Sequence, residues 1–95
     1  MGRSHHFHLD HHGHSITVNV RPGRTSRLEL LVDGKEVFRQ RVQGTGTSVL
    51  TGELPGDPPV PFRVLVHQPR LGALIPRCSL EVDGVEQPMP ERAMV

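Results

Sequence analysis

Ninety-five residues with a formal net charge of +1, three Phe and neither Trp nor Tyr make one small domain whose core must come from Val, Leu and Ile. The near-zero charge excludes the broad basic field of a nucleic-acid binder. Nine Pro and ten Gly exclude long helices, and no run approaches the ~18 apolar residues of a membrane span.

Met1 to Ser4 is expected to fray. His5 to Asp10 alternates, with Phe7 and Leu9 on one side and His6 and His8 on the other. Asp10-His-His-Gly13 suits a type I turn closed by a Gly bulge. The return strand is His14 to Val20, where Ile16, Val18 and Val20 alternate strictly with Thr17 and Asn19. Arg21-Pro-Gly-Arg24 is a turn by composition.

Two strands follow, Ser26 to Val32 and Lys35 to Val42, joined by Asp33-Gly34. Asp-Gly between β-rich runs is the strongest short hairpin signal, because a two-residue type I′ turn needs positive φ at both central positions. With that loop, Val32 faces Lys35, Leu30 faces Val37 and Leu28 faces Arg39, while Leu31 and Phe38 point to the other side. Gln43-Gly-Thr-Gly46 then breaks the chain.

Thr47 to Leu54 forms the next strand, with Val49 and Thr51 on one face, Leu50 and Leu54 on the other, and Gly52 as the mark of a bulge. Pro55 to Pro61 is a loop. Phe62 to Gln68 turns Phe62, Val64 and Val66 inward and Arg63, Leu65 and His67 outward. The segment from Pro69 to Pro76 holds Leu71, Ala73, Leu74 and Ile75, an apolar stretch that either caps the core or forms a contact surface.

The last hairpin, Arg77 to about Met89, repeats the earlier one: Arg27, Leu30, Val32, Asp33, Gly34 and Glu36 recur as Arg77, Leu80, Val82, Asp83, Gly84 and Glu86. Its turn sets Glu81 opposite Glu86, a destabilising like-charge pair unless a cation from Arg77 or Arg63 intervenes. Glu91 to Val95 is expected to be a disordered tail. Eight short strands at about ten-residue spacing predict an all-β fold, an antiparallel β-sandwich built from hairpins, with a closed barrel as the alternative.

The run Ser26-Arg-Leu-Glu-Leu-Leu-Val-Asp-Gly-Lys-Glu-Val37, with the later Leu80-Glu-Val-Asp-Gly-Val-Glu86, resembles one domain of the Fas apoptotic inhibitory molecule (FAIM) family. The resemblance spans about His14 to Pro90. It implies a β-sandwich and a non-enzymatic interaction domain, of a kind associated with death-receptor signalling and protection against protein aggregation. Family domains carry Trp and Tyr in their strands and occur in pairs, and no functional residue transfers to this chain.

Chemistry concentrates at the N-terminus in His5, His6, His8, His11, His12 and His14. Neutral imidazoles ligate zinc, copper and nickel. Alternation would place His6 and His8 on one face, with His14 near them across the turn and Asp10 as an oxygen ligand. The competing reading is a set of solvated side chains on an edge hairpin, with no resident cofactor. Asp33 and Asp83 are explained by their turns.

Cys78 shares the inward side of its strand with Leu80 and Val82, which suits a buried thiol better than a nucleophile. As a lone cysteine it has no internal disulfide partner, and the N-terminus is polar and His-rich, so a reducing, cytoplasmic setting is expected. His67 could join a Ser and an Asp only if geometry assembled them. Arg39 and Arg41 share a strand face, and with Arg24, Arg27 and Arg63 nearby would make a basic patch for an acidic partner.

Two functions emerge. One is a protein-interaction or chaperone-like module using a sheet edge or the apolar segment, monomeric or weakly dimeric and engaging neither nucleic acid nor membrane. The alternative is a His-rich metal-binding protein.

Overall fold

A computed structural model describes residues 4–43, 46–69 and 76–92. The described strands are β1 His5–His11, β2 His14–Arg21, β3 Thr25–Val32, β4 Lys35–Gln43, β5 Gly46–Leu54, β6 Val60–Gln68, β7 Arg77–Val82, β8 Val85–Met89 and β9 Glu91–Arg92. They form a five-stranded sheet in the order β4-β3-β2-β1-β9 and a four-stranded sheet in the order β5-β6-β7-β8, with every pairing antiparallel. The sheets pack as a small sandwich. The apolar segment at Leu71 to Ile75 lies outside the described residues.

Period-two patterning builds the core. Ile16, Val18 and Val20 from β2, Leu28 and Leu30 from β3, Leu50 from β5 and Val64 and Val66 from β6 are all completely buried. Each such side chain contributes about 1.5–3 kcal/mol of transfer free energy. Branched aliphatics suffice without Trp or Tyr because their stiff rotamers fit a pleated surface. One polar pair crosses the core: Ser26 Oγ donates to Gln68 Oε1 at 2.9 Å, with both residues buried.

The β3–β4 hairpin departs from its expected register. Val32 does face Lys35, but Leu31 then pairs with Glu36 and Leu30 with Phe38, so a bulge between Leu30 and Leu31 leaves Val37 out of step. The reason is steric and electrostatic. An unbroken ladder would turn Val37, Arg39 and Arg41 toward the core, and burying two guanidinium groups without partners is prohibitive. The bulge instead presents Phe38 and Val42, which pack against the core, and Val37 becomes 46% exposed.

Four further expectations are corrected. The β1–β2 connection is a two-residue loop, His12-Gly13 (φ 49° and 80°), between the ladder partners His11 and His14. It repeats the geometry of Asp33-Gly34 (53° and 82°) and Asp83-Gly84 (51° and 75°), since His, like Asp, tolerates the left-handed region better than most residues. Gly52 marks no bulge: β5 and β6 pair in step from Gly46 to Leu54, and a Cβ at Gly52 would lie 2.8 Å from Cζ of Phe62. The glycine is there to seat the aromatic ring.

The third correction concerns the chain after Met89. Pro90 carries it from the four-stranded sheet to the five-stranded one, where Pro90 accepts a hydrogen bond from the His8 amide at 3.1 Å. Glu91 and Arg92, expected in a disordered tail, pair with Phe7 and His6 as β9. Strand β6 also begins two residues earlier than expected, at Val60, with Pro61 opposite Glu53.

Candidate interaction surfaces

The histidines lie on β1 and β2, and register decides which can meet. His6 pairs with Asn19, His8 with Thr17 and Asp10 with Ser15, all on the outer face, whereas His14 pairs with His11 on the side that carries Phe7 and Ile16. The expected His6, His8 and His14 grouping is therefore divided between two faces. His14 Nδ1 instead donates to Asp33 Oδ2 at 2.8 Å and His5 Nδ1 to Glu91 Oε2 at 2.7 Å, because a carboxylate only accepts.

His8 has both ring nitrogens engaged. Nε2 donates to Asp10 Oδ1 at 2.9 Å, which leaves Nδ1 to accept from the Thr17 hydroxyl at 3.2 Å, with Ser15 Oγ at 3.4 Å. Its lone pair is thus occupied. Among the described residues no three His, Cys, Asp or Glu side chains gather in a metal-binding arrangement.

Hydroxyl, imidazole and carboxylate at Ser15, His8 and Asp10 nominally have the composition of a nucleophilic triad. Such chemistry also needs free N–H donors aimed at the developing oxyanion. The Ser15 amide donates to Asp33 Oδ1 at 2.9 Å, and β2 is flanked on both sides by paired strands. His67, the other histidine considered for such a role, contacts the Thr47 hydroxyl at 3.2 Å.

Cys78 is buried. Loss of solvation, with a smaller contribution from the charge of Glu91, pushes its thiol up to about 12. Such a group stays protonated and inert near neutral pH.

Asp33 is the most connected turn residue. Its amide donates to the Ser15 carbonyl at 2.8 Å, while its carboxylate takes both the Ser15 amide and His14. The Ser15 bond, followed by His14, holds the carboxyl below its ordinary value. Arg63, expected near the basic patch, sits on β6 and bonds Glu81 through both Nε (2.9 Å) and Nη2. It is the cation that offsets Glu81 against its ladder partner Glu86.

Four arginines, Arg21, Arg27, Arg39 and Arg41, lie on the outer face of the five-stranded sheet. Arg21 pairs with Arg27 and Arg27 with Arg41, so three guanidinium side chains occupy one row across β2, β3 and β4. The next row runs His6, Asn19, Glu29, Arg39. Sequence reasoning found Arg27, Arg39 and Arg41 but missed Arg21, whose place in the row depends on the β2–β3 register.

The edges differ as well. One side of the sandwich is stitched by the Pro90 crossover and β9. On the other side β4 and β5, nine residues each, are both edge strands. Two of the exposed large apolar side chains, Val37 at 46% and Val49 at 42%, lie on those two edges. No helix among the described residues is long and apolar enough to cross a membrane.

No family model, curated protein or solved structure matches the chain.

Proposed function

We propose that this domain is a non-enzymatic interaction or chaperone-like module that accepts an extended polypeptide segment along the open β4/β5 side of the sandwich. The observation that carries the reading is the asymmetry of the two sides, one ending in the short edges β8 (five residues) and β9 (two residues) and the other offering two nine-residue edges. An unpaired edge presents a row of N–H and C=O groups, which is the template for strand addition. Val37 and Val49 add apolar contact beside those groups.

Support also comes from what the polar side chains do. His5, His8, His14 and Asp33 are engaged in ties to neighbouring strands, His8 through Thr17, and the thiol is inert. The resemblance of the two Asp-Gly hairpins to the FAIM family agrees with an interaction domain whose partner is protein.

Light scattering from an aggregating client protein tests the proposal. Stoichiometric domain should suppress the signal, and the double variant Val37→Lys/Val49→Lys, which places guard charges on both edges, should abolish suppression without lowering the melting temperature. Aggregation unaffected by the wild-type domain, or suppressed equally by the double variant, would overturn it.

A further inference from the structure

The two open edges are not chemically alike. Strand β5 shows Thr47, Val49, Thr51 and Glu53 on its outward side, with one charge among them, whereas β4 shows Arg39 and Arg41. Behind β4 stand Arg27 and Arg21, and the acidic groups interleaved with these four arginines are Glu29 and Glu36. Both make long contacts, Glu29 to Arg21 Nε at 3.7 Å and Glu36 to Arg39 Nε at 3.7 Å. Arg27 and Arg41 pair with no carboxylate among the described residues. Like charges directly opposite on neighbouring strands are unfavourable, so the Arg21-Arg27-Arg41 row carries an unbalanced charge that ends at the β4 edge.

A strand added beside β4 would extend both rows by one position. Its outward side chains would fall next to Arg39 and Arg41, about 4.7–4.9 Å further along each row and two residues apart on the new strand, at ~6.6 Å spacing. Acidic side chains at alternate positions meet that geometry, and opposite charges across a ladder stabilise it. Backbone pairing would supply the affinity and the arginines the selectivity. A nucleic-acid strand fits less well, because the three Phe of this chain include none on this face: Phe7 and Phe62 are buried and Phe38 packs against the core.

We infer that the β4 edge selects an extended acidic peptide segment, with Glu or Asp at alternate positions read by Arg39 and Arg41 and reinforced by Arg27 and Arg21. This rests on the edge-binding reading above and assigns its site and partner chemistry. The β-bulge makes the site, because without it Arg39 and Arg41 would face the core.

Amide NMR of the full chain decides it, titrated with a twelve-residue peptide alternating Glu with Val or Thr, its Lys-for-Glu counterpart, and inorganic polyphosphate. The expected result is saturable perturbation of β4 amides by the Glu peptide alone, weakening roughly tenfold or more in Arg39→Glu/Arg41→Glu, which should then take the Lys peptide. Perturbation centred on β5, or equal binding of the Glu and Lys peptides, overturns the acidic assignment and leaves edge binding standing. Polyphosphate competing at the arginines while the Glu peptide leaves β4 amides unmoved overturns it in favour of a plain anion patch. No binding of either peptide at either edge, together with failure of the client assay, removes both readings.

Discussion

The β3–β4 and β7–β8 hairpins share six residues at matching positions and the same Asp-Gly turn, with φ of 53° and 82° in one and 51° and 75° in the other. Two residues past the turn they diverge. In the second, Glu81 faces Glu86 and Leu80 faces Gln87 with the ladder in step. In the first, Val37 drops out and Leu30 meets Phe38. A turn sets where a hairpin reverses, but the side chains of the returning strand decide whether the ladder stays in step. Lys35 to Gln43 offers Phe38 and Val42 on one parity and Arg39 and Arg41 on the other, and only the bulge buries the right set. Val85 to Met89 has no such conflict, since Met89 lands opposite Cys78 and is buried without adjustment.

Several measurements can break or sharpen this contrast. The largest effect is expected at the residue for which the bulge exists. Phe38→Ala should cost about 2 kcal/mol in urea unfolding, below the value for a fully buried aromatic because Phe38 is only half-buried, while Gln87→Ala at the matching ladder position should stay within ~0.5 kcal/mol. Equal costs would mean the bulge does not serve the core.

Next come the turns themselves. Gly34→Val and Gly84→Val should each destabilise by more than ~1 kcal/mol, because open space surrounds both positions and the penalty is that of a β-branched residue at positive φ. A turn that absorbed Val without a change in melting temperature would have abandoned its two-residue geometry.

The aspartates should separate the hairpins again. Asp33 is latched to β2 through Ser15 and His14, and Asp83 has no matching latch among the described residues, so Asp33→Ala should lower the melting temperature more than Asp83→Ala. The Asp33 carboxyl lies below its ordinary value in the folded state. Its contribution is therefore complete above the unfolded-state value of about 4 and disappears as pH falls through the lower folded-state value. A wild-type minus Asp33→Asn stability difference that persisted at the lowest pH would contradict the latch. The smallest effect belongs to Arg63, whose exposed pair with Glu81 should contribute less than ~1 kcal/mol; Arg63→Ala should cost less when Glu86 is also replaced by Gln.

Fold class, eight of the nine described strands to within two residues at each end, and most of the core were legible in the chain, because alternation and Asp-Gly turns are local signals. What escaped reading was set by partners distant in sequence. The bulge depends on which face of β4 the core rejects. Strand β9 is two residues between a Pro and the chain end, too short for any period to register. His12-Gly13 is the local exception: the usual two-residue hairpin signals are Asn-Gly, Asp-Gly and Gly-Gly, and His-Gly is not among them. Ser26 and Gln68 each look like polar interruptions until the two sheets bring them to 2.9 Å. Of the candidate surface, Arg39 and Arg41 were visible as an i, i+2 pair, but the row behind them needed the register of three strands.

The pairing of β9 with β1 has one more consequence. His6 and Arg92 are ladder partners, so the first and last described strands run side by side, and a short peptide can bridge them without disturbing either sheet. Topologically the fold is then a ring whose opening is a matter of convenience. A circular permutant joined between residues 92 and 5 and reopened in the exposed Pro55 to Pro59 loop should recover the same two sheets, and by the same geometry the domain can be spliced into a surface loop of another protein as a cassette with neighbouring entry and exit points.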